Sequence, residues 1–317
     1  IDLHVNGAAG HWFNRQPLDA MRRLSTSGLR GGLTAYLPTI ITGPWDQMLR
    51  AASDVYRNME LPSDGARALG VHFEGPFLSP EYRRFHPLEH LLTPTPARIE
   101  ALLGTWTSGR CRVTMAPEMP EAARAAAELR RRGVILSAGH TAATFAEGLE
   151  AIEAGYRILT HSFNAMPGLH HRASSILVAY MLDPAAFCEV IADGAHVSPE
   201  HVALLYRLKG LNLVLATDAM PLTEGLVEDG GVVRDLDGVI AGSNLRPDEA
   251  VRNLMRATGV SLAETIASAT WAPARAIGLD SEIGMLREGL RADLAVWDRH
   301  NRISHVFVGG KLVYTND

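Results

Sequence analysis

An α/β protein built on a (β/α)8 barrel of the TIM type is the fold class this sequence predicts. Three observations predict it. From residue 1 to about 260, short apolar runs alternate with longer stretches rich in Ala, Leu and Arg. The apolar runs number eight, the count that closes a parallel sheet on itself. No glycine-rich dinucleotide fingerprint follows the first run, so the main signal of an open, doubly wound sheet is missing.

The strand candidates, in order, are "IDLHVNG", "LTAYLPTII", "LGVHFEGPF", "RVTMAPE", "VILSAGH", "ILTHSFNAM", "EVIADGAHV" and "LNLVLATDA". Between them, helical patterns run over Pro17 to Ser27, Trp45 to Met59, Pro96 to Ser108 and Glu121 to Arg132. Three more cover Thr144 to Ala154, Ser174 to Leu182 and Pro199 to Leu208. After strand eight, alternation with Gly-Gly and Asp-Gly turn signals predicts a β-hairpin insertion near 223–242. Helices are expected over 246–258 and 262–277, and the tail reads as strands and turns of a small β-domain.

Composition narrows the function. The chain has 317 residues, 47% hydrophobic and 21% charged, with a net charge of -5. That balance offers no electrostatic basis for nucleic acid or an anionic membrane. The densest basic run, "LRRRG" at 129–133, ends a predicted helix, where cations suit the dipole. The longest apolar stretch is broken by Asp183 and Pro184, short of a membrane span. Cys111 and Cys188 make no disulfide framework, so a reducing, cytoplasmic setting is expected.

Polar residues collect where the apolar runs end. His4, Glu74, His140, His161, His196 and Asp218 terminate six of them, and barrel enzymes carry their chemistry at that end. Singly, each has a bland reading: a satisfied core histidine, a paired glutamate, a capping aspartate. Together, Glu74, His140 and His161 make an open site of three N and O ligands with room for water. Zinc suits it best, and iron(II), manganese or cobalt also fit. Asp218 would accept the proton of an activated water and later deliver it. His72, deeper on the strand of Glu74, reads as a structural residue.

Several segments together resemble the N-acetylglucosamine-6-phosphate deacetylases of the amidohydrolase superfamily. They are "DLHVNG", "HFEGPFLSP", "SAGHTAATFAEGLEAIEAG", "THSFNAMPGLHHR", "IADGAHV" and "ATDAM", with the closing "ASATWAPARAIGL" and "GMLREGLRADLAVWD". The resemblance implies a barrel over 1–278 and, over 279–317, the C-terminal part of a small β-sandwich whose N-terminal strands are missing. It implies one divalent ion on Glu74, His140 and His161, Asp218 as base and then acid, and His196 at the acetamide carbonyl. Asp193, Gly194 and Ala195 accompany His196 at the substrate. It further implies that His86, Asn164 and Ala165 contact the sugar, that Arg172 binds the 6-phosphate, and that Ile240, Ala241 and Gly242 line the site. The expected partner is a phosphorylated amino sugar, and the expected assembly a homodimer.

Two departures matter. Ala173-Ser174-Ser175 stands after Arg172 where the family carries a Pro-Gly pair, which puts strict phosphate recognition in question. In the first strand, Asn6 replaces the second histidine of a His-x-His pair, and a neutral amide binds zinc-like ions weakly. The strand thus predicts a one-metal enzyme, with His4 a neighbour of the site at the place of a weak or absent second ion. Rival readings are a deacetylase of N-acetylgalactosamine 6-phosphate or an N-acyl amino acid and, from another class, a non-catalytic binding barrel.

Overall fold

The computed structural model describes residues 1–61 and 64–316; Asp317, the last residue of the expected small domain, lies outside the described residues. The barrel strands are β1 (Asp2–Val5), β2 (Ala35–Ile41), β3 (Gly70–Glu74), β4 (Arg110–Met115), β5 (Ile135–Ala138), β6 (Tyr156–Leu159), β7 (Phe187–Val190) and β8 (Leu213–Leu215). They pair in sequence order and all parallel. Closure comes from β1 meeting the segment after β8. Val5 bridges Ala219 in parallel, Asn6 N–H donates to Ala219 O at 2.7 Å, and Asp218 N–H donates to His4 O at 2.9 Å.

The helices that wrap the sheet are α1 (Pro17–Ser27), α2 (Trp45–Arg57), α3 (Pro96–Leu103), α4 (Ala122–Arg131), α5 (Phe145–Ala154), α6 (Ile176–Leu182) and α7 (Pro199–Lys209). Pro at the first helical position starts α1, α3 and α7, where a missing N–H costs nothing. Thr144 and Glu147 form a reciprocal capping box on α5. α3 stops five residues before the expected Ser108, because Gly104 caps it and Thr105 turns its hydroxyl back to Leu102 O at 2.7 Å. After α8 (Pro247–Thr258), the expected helix 262–277 is broken into α9 (Leu262–Thr265), a 3-10 turn and α10 (Trp271–Ala276). Pro273 has no N–H to return to Ala269, so a continuous α-helix cannot run through it.

Between β8 and α8 lies a three-stranded antiparallel sheet, β9 (Leu226–Asp229), β10 (Val232–Asp235) and β11 (Ile240–Ser243). This is one strand more than the predicted hairpin. Val233 packs with Trp12 and Met220 beneath it. At the C-terminus β12 (Leu294–Trp297), β13 (Ile303–Val308) and β14 (Lys311–Thr315) form a second antiparallel sheet. A cleft of about 930 Å3, walled by Trp271, Ile283, Met285 and Ala295 among others, runs beside it.

The main apolar core joins barrel strands to helices, with Val71, Phe73, Val113 and Leu136 facing Met48, Val55, Leu102 and Leu129. Inside the barrel, Leu37, Ile158, Phe187 and Val214 form a second apolar cluster, and the layer above it, two residues further along the strands, is polar. Arg112 is fully buried and donates to both oxygens of Glu189 at 2.6 and 2.7 Å, to Ser137 Oγ, to Thr160 Oγ1 and to Leu3 O. Burial raises the Glu189 carboxyl, but Arg112 outweighs it and holds the group below its ordinary range. His72, as expected, is structural: its ring meets Thr39 Oγ1 at 3.1 Å and Thr114 Oγ1 at 2.7 Å.

Candidate metal centre and active site

Parallel strands deliver their last residues to one end of a barrel, and the predicted trio converges there. Glu74 ends β3, while His140 and His161 follow β5 and β6 by two residues. Glu74 Oε1 lies 3.1 Å from His140 Nε2 and 3.0 Å from His161 Nε2, and the two nitrogens are 3.0 Å apart. All three residues are buried. The strand candidate "ILTHSFNAM" encloses His161, but β6 ends at Leu159, two residues before it. It sits in the turn beyond, at φ 30°, and His140 and Asp218 hold φ of 48° and 49°. Such left-handed backbone is costly for non-glycine residues and collects where geometry is over-determined by function.

The donor set fits a divalent ion. His140 Nδ1 donates to the carbonyl of Tyr82 at 2.9 Å, so in the neutral ring Nε2 carries a lone pair. That lone pair faces the carboxylate and the second imidazole. A tetrahedral ion about 2.0–2.1 Å from N and O ligands sets neighbouring donors roughly 3.3 Å apart, close to the spacing found. Burial alone would raise the Glu74 carboxyl; His4, His140 and His161 hold it well below the usual range.

His4 lies beside this trio, as expected. Its Nε2 is 3.1 Å from Glu74 Oε2 and 3.3 Å from Asp218 Oδ1, and these residues form a second candidate cation group. Burial disfavours its charged form, yet Glu74 and Asp218 raise it to about 9. Asn6 does not face the trio: Nδ2 donates to Asp218 Oδ1 at 2.7 Å. His86 also joins the cluster. Its ring packs edge-on against His140 at 4.4 Å, and Nε2 is 4.0 Å from Glu74 Oε2. Burial, with His140 beside it, lowers His86 to about 3, so it is neutral.

The loops supply the remaining residues. In the turn after β7, Asp193 Oδ1 accepts from the N–H groups of Ala195 and His196, and Oδ2 from His196 Nδ1. Asp193, expected beside the substrate, gives its carboxylate to His196 and to closing the turn around Gly194. Asn164 is half-buried, and its N–H bonds His161 O at 2.9 Å. Ala165 O accepts from Thr141 N–H at 3.1 Å, tying the β5 and β6 loops together. Ile240 and Ala241 are half-buried on β11, and a Cβ on Gly242 would come within 3.0 Å of Asp218 O. Arg172 is exposed on the loop after His161.

Sequence reasoning missed Glu118. Its carboxylate takes Thr141 Oγ1 at 2.5 Å and Ala142 N–H at 2.6 Å, fixing the loop that carries His140. The signal was available, since "RVTMAPE" also ends in an ionisable residue. Arg112, in the polar layer of the barrel, was missed too. It looks like one more basic residue in a strand.

A barrel with buried His and carboxylate groups at its C-terminal mouth defines the class of metal-site hydrolases, and the sequence comparison agrees. The chain belongs to the amidohydrolase family, whose model matches residues 1–313. It is 34% identical to N-acetylgalactosamine-6-phosphate deacetylase of Escherichia coli O157:H7 over 323 residues, covering 98% of this chain and 86% of that one. It is 32% identical to N-acetylglucosamine-6-phosphate deacetylase of Lysinibacillus sphaericus over 334 residues, covering 100% of this chain and 85% of that one. Among solved structures it resembles an aspartate-to-alanine variant of the Mycobacterium smegmatis N-acetyl-D-glucosamine-6-phosphate deacetylase in complex with N-acetyl-D-glucosamine-6-phosphate. That match has a TM-score of 0.91 and 30% identity, and covers 99% of this chain and 86% of the other. The resemblance read from the motifs is borne out. No helix among the described residues is long and apolar enough to cross a membrane.

Proposed function

We propose that this chain hydrolyses the acetamide of N-acetylglucosamine 6-phosphate, releasing acetate and glucosamine 6-phosphate. The observation that carries the reading is the meeting of Glu74, His140 and His161 donor atoms within 3.0–3.1 Å, with Asp218 reached through His4. Those three residues would hold one divalent ion, zinc by their N and O donors, with iron, manganese or cobalt as alternatives. Bound there, such an ion lowers the pKa of water and polarises an acyl oxygen.

The chain's own residues do the rest. Asp218 takes the proton of the attacking water and returns it to the amine as the C–N bond breaks. His196, its Nδ1–H held by Asp193, presents Nε2 to the acyl oxygen, where a proton carried on that nitrogen stabilises the charge that develops. Arg172 meets the 6-phosphate, since a guanidinium matches phosphate geometry and an exposed one is free to reach it. His86, Asn164, Ala165, Gly194, Ala195 and the β11 residues Ile240 to Gly242 line the sugar. The same reading divides the chain at about residue 278 into a barrel and a small β-domain, and makes it a cytoplasmic homodimer. Two buried free thiols suit a reducing compartment.

A second reading, N-acetylgalactosamine 6-phosphate as substrate, is favoured by the 34% identity to an enzyme of that name. One assay tests both. Acetate release is measured over N-acetylglucosamine and N-acetylgalactosamine, each with and without 6-phosphate, in defined metals. The expected result is turnover of the 6-phosphates with zinc. Turnover no faster than that of Glu74→Gln on all four sugars overturns the proposal.

A further inference from the structure

Asn6 stands where a two-metal site would carry a second imidazole, and its contacts give it other work. We infer that Asn6 is a positioning residue for Asp218: it holds Oδ1 so that Oδ2 faces the reacting water. The inference rests on the hydrolytic reading of the site above.

Four observations carry it. The Asn6 side chain donates from Nδ2 to Asp218 Oδ1 at 2.7 Å, the shortest contact made to that carboxylate. His4 Nε2 approaches the same oxygen, at 3.3 Å; no hydrogen bond or ion pair among the described residues falls on Oδ2. The two backbones are locked together as well, since Asn6 N–H donates to Ala219 O at 2.7 Å and Phe13 N–H to Asn6 O at 3.1 Å. Finally, Asn6 Oδ1 is buried with no partner.

That orphaned oxygen is informative. An amide serving only to fill the core would be expected to pair both ends, because an unmade buried hydrogen bond costs free energy. Here one end is left unpaired while the other aims at a carboxylate. Turning the amide over would set Oδ1 against Asp218, so the bond also fixes which way Asn6 points.

The chemistry explains why an amide suits the position. An NH2 group always donates and never titrates, so it orients Asp218 without cancelling its charge. A lysine or arginine there would pull the carboxyl down and weaken it as a proton acceptor.

The test compares wild type, Asn6→Ala and Asn6→Ser, all loaded with zinc. Alanine removes the donor; serine is the milder change, with a hydroxyl too short to reach Asp218. We expect kcat to fall about 10- to 100-fold in both, KM to stay within about twofold, and zinc per chain to match wild type by plasma mass spectrometry. Crystal structures should show Asp218 in one rotamer in wild type and in another, or in several, in the variants. Unchanged kcat, or loss of zinc, overturns the inference. So does an unmoved Asp218, even if wild type proves inactive on every sugar tried; inactive wild type by itself counts against the hydrolytic reading instead.

Discussion

Asp193 Oδ2 lies 2.6 Å from His196 Nδ1, and the same carboxylate closes the turn that carries the histidine through Oδ1. A carboxylate only accepts here, so Nδ1 bears the hydrogen and Nε2 is the end left for chemistry. Asp193→Asn removes the negative charge that supports a second proton on the ring and sets an amide nitrogen against Nδ1 in place of an acceptor. We expect kcat/KM to fall about 10- to 100-fold with an unchanged circular dichroism spectrum. Values within twofold of wild type would show that His196 needs no partner.

Removal of the ion should be visible without substrate. Dialysis against a strong chelator is expected to lower the thermal midpoint, since an ion that binds only the folded state stabilises it by about 4 kcal/mol at 1,000 times its Kd. Zinc should restore both midpoint and acetate release. Glu74→Gln should lose most of its zinc, measured by mass spectrometry, because the neutral amide no longer balances the ion's charge. Full zinc content in that variant would argue against Glu74 as a ligand.

Beneath the site, the Arg112–Glu189 pair predicts a stability effect. Glu189→Gln leaves a fully buried guanidinium without its counter-charge, which costs about 3–5 kcal/mol, read from urea unfolding. The pH dependence follows from Glu189 being held below its ordinary value of 4.5. The unfolded chain takes up its proton first as pH falls, so the pair's contribution is full above that value and drains away below it. Wild type should therefore lose more stability than Glu189→Gln between about pH 5 and 3. Parallel acid titrations of the two would contradict this.

The thiols should be silent in the native state. Burial pushes Cys111 up to about 12 and Cys188 up to about 11, and only a thiolate attacks a disulfide reagent. At pH 8 the folded protein should react over hours, and both cysteines within minutes in guanidinium. Rapid native labelling of either would mean that its strand opens readily.

Much of this site could be read from the chain because a parallel barrel obeys one rule: whatever ends a strand reaches the mouth. Glu74, His140, His161, His4 and Asp218 were found that way. What escaped was pairing across the barrel. Asn6 and Asp218 are 212 residues apart, and Arg112 and Glu189 are 77; nothing local marks either contact before strand register is known. The broken helix over 262–277 was a local miss, as Pro273 stood in plain view.

The seam of the barrel has a consequence of its own. His4, Asn6, Asp218 and Ala219 are both the stitches that join first strand to last and the neighbours of the proton-transferring carboxylate. Unzipping that edge and disarming the enzyme would then be a single event. Inactivation on gentle heating should precede the loss of helix signal, and exchange of the Asn6 and Asp218 amides should track it.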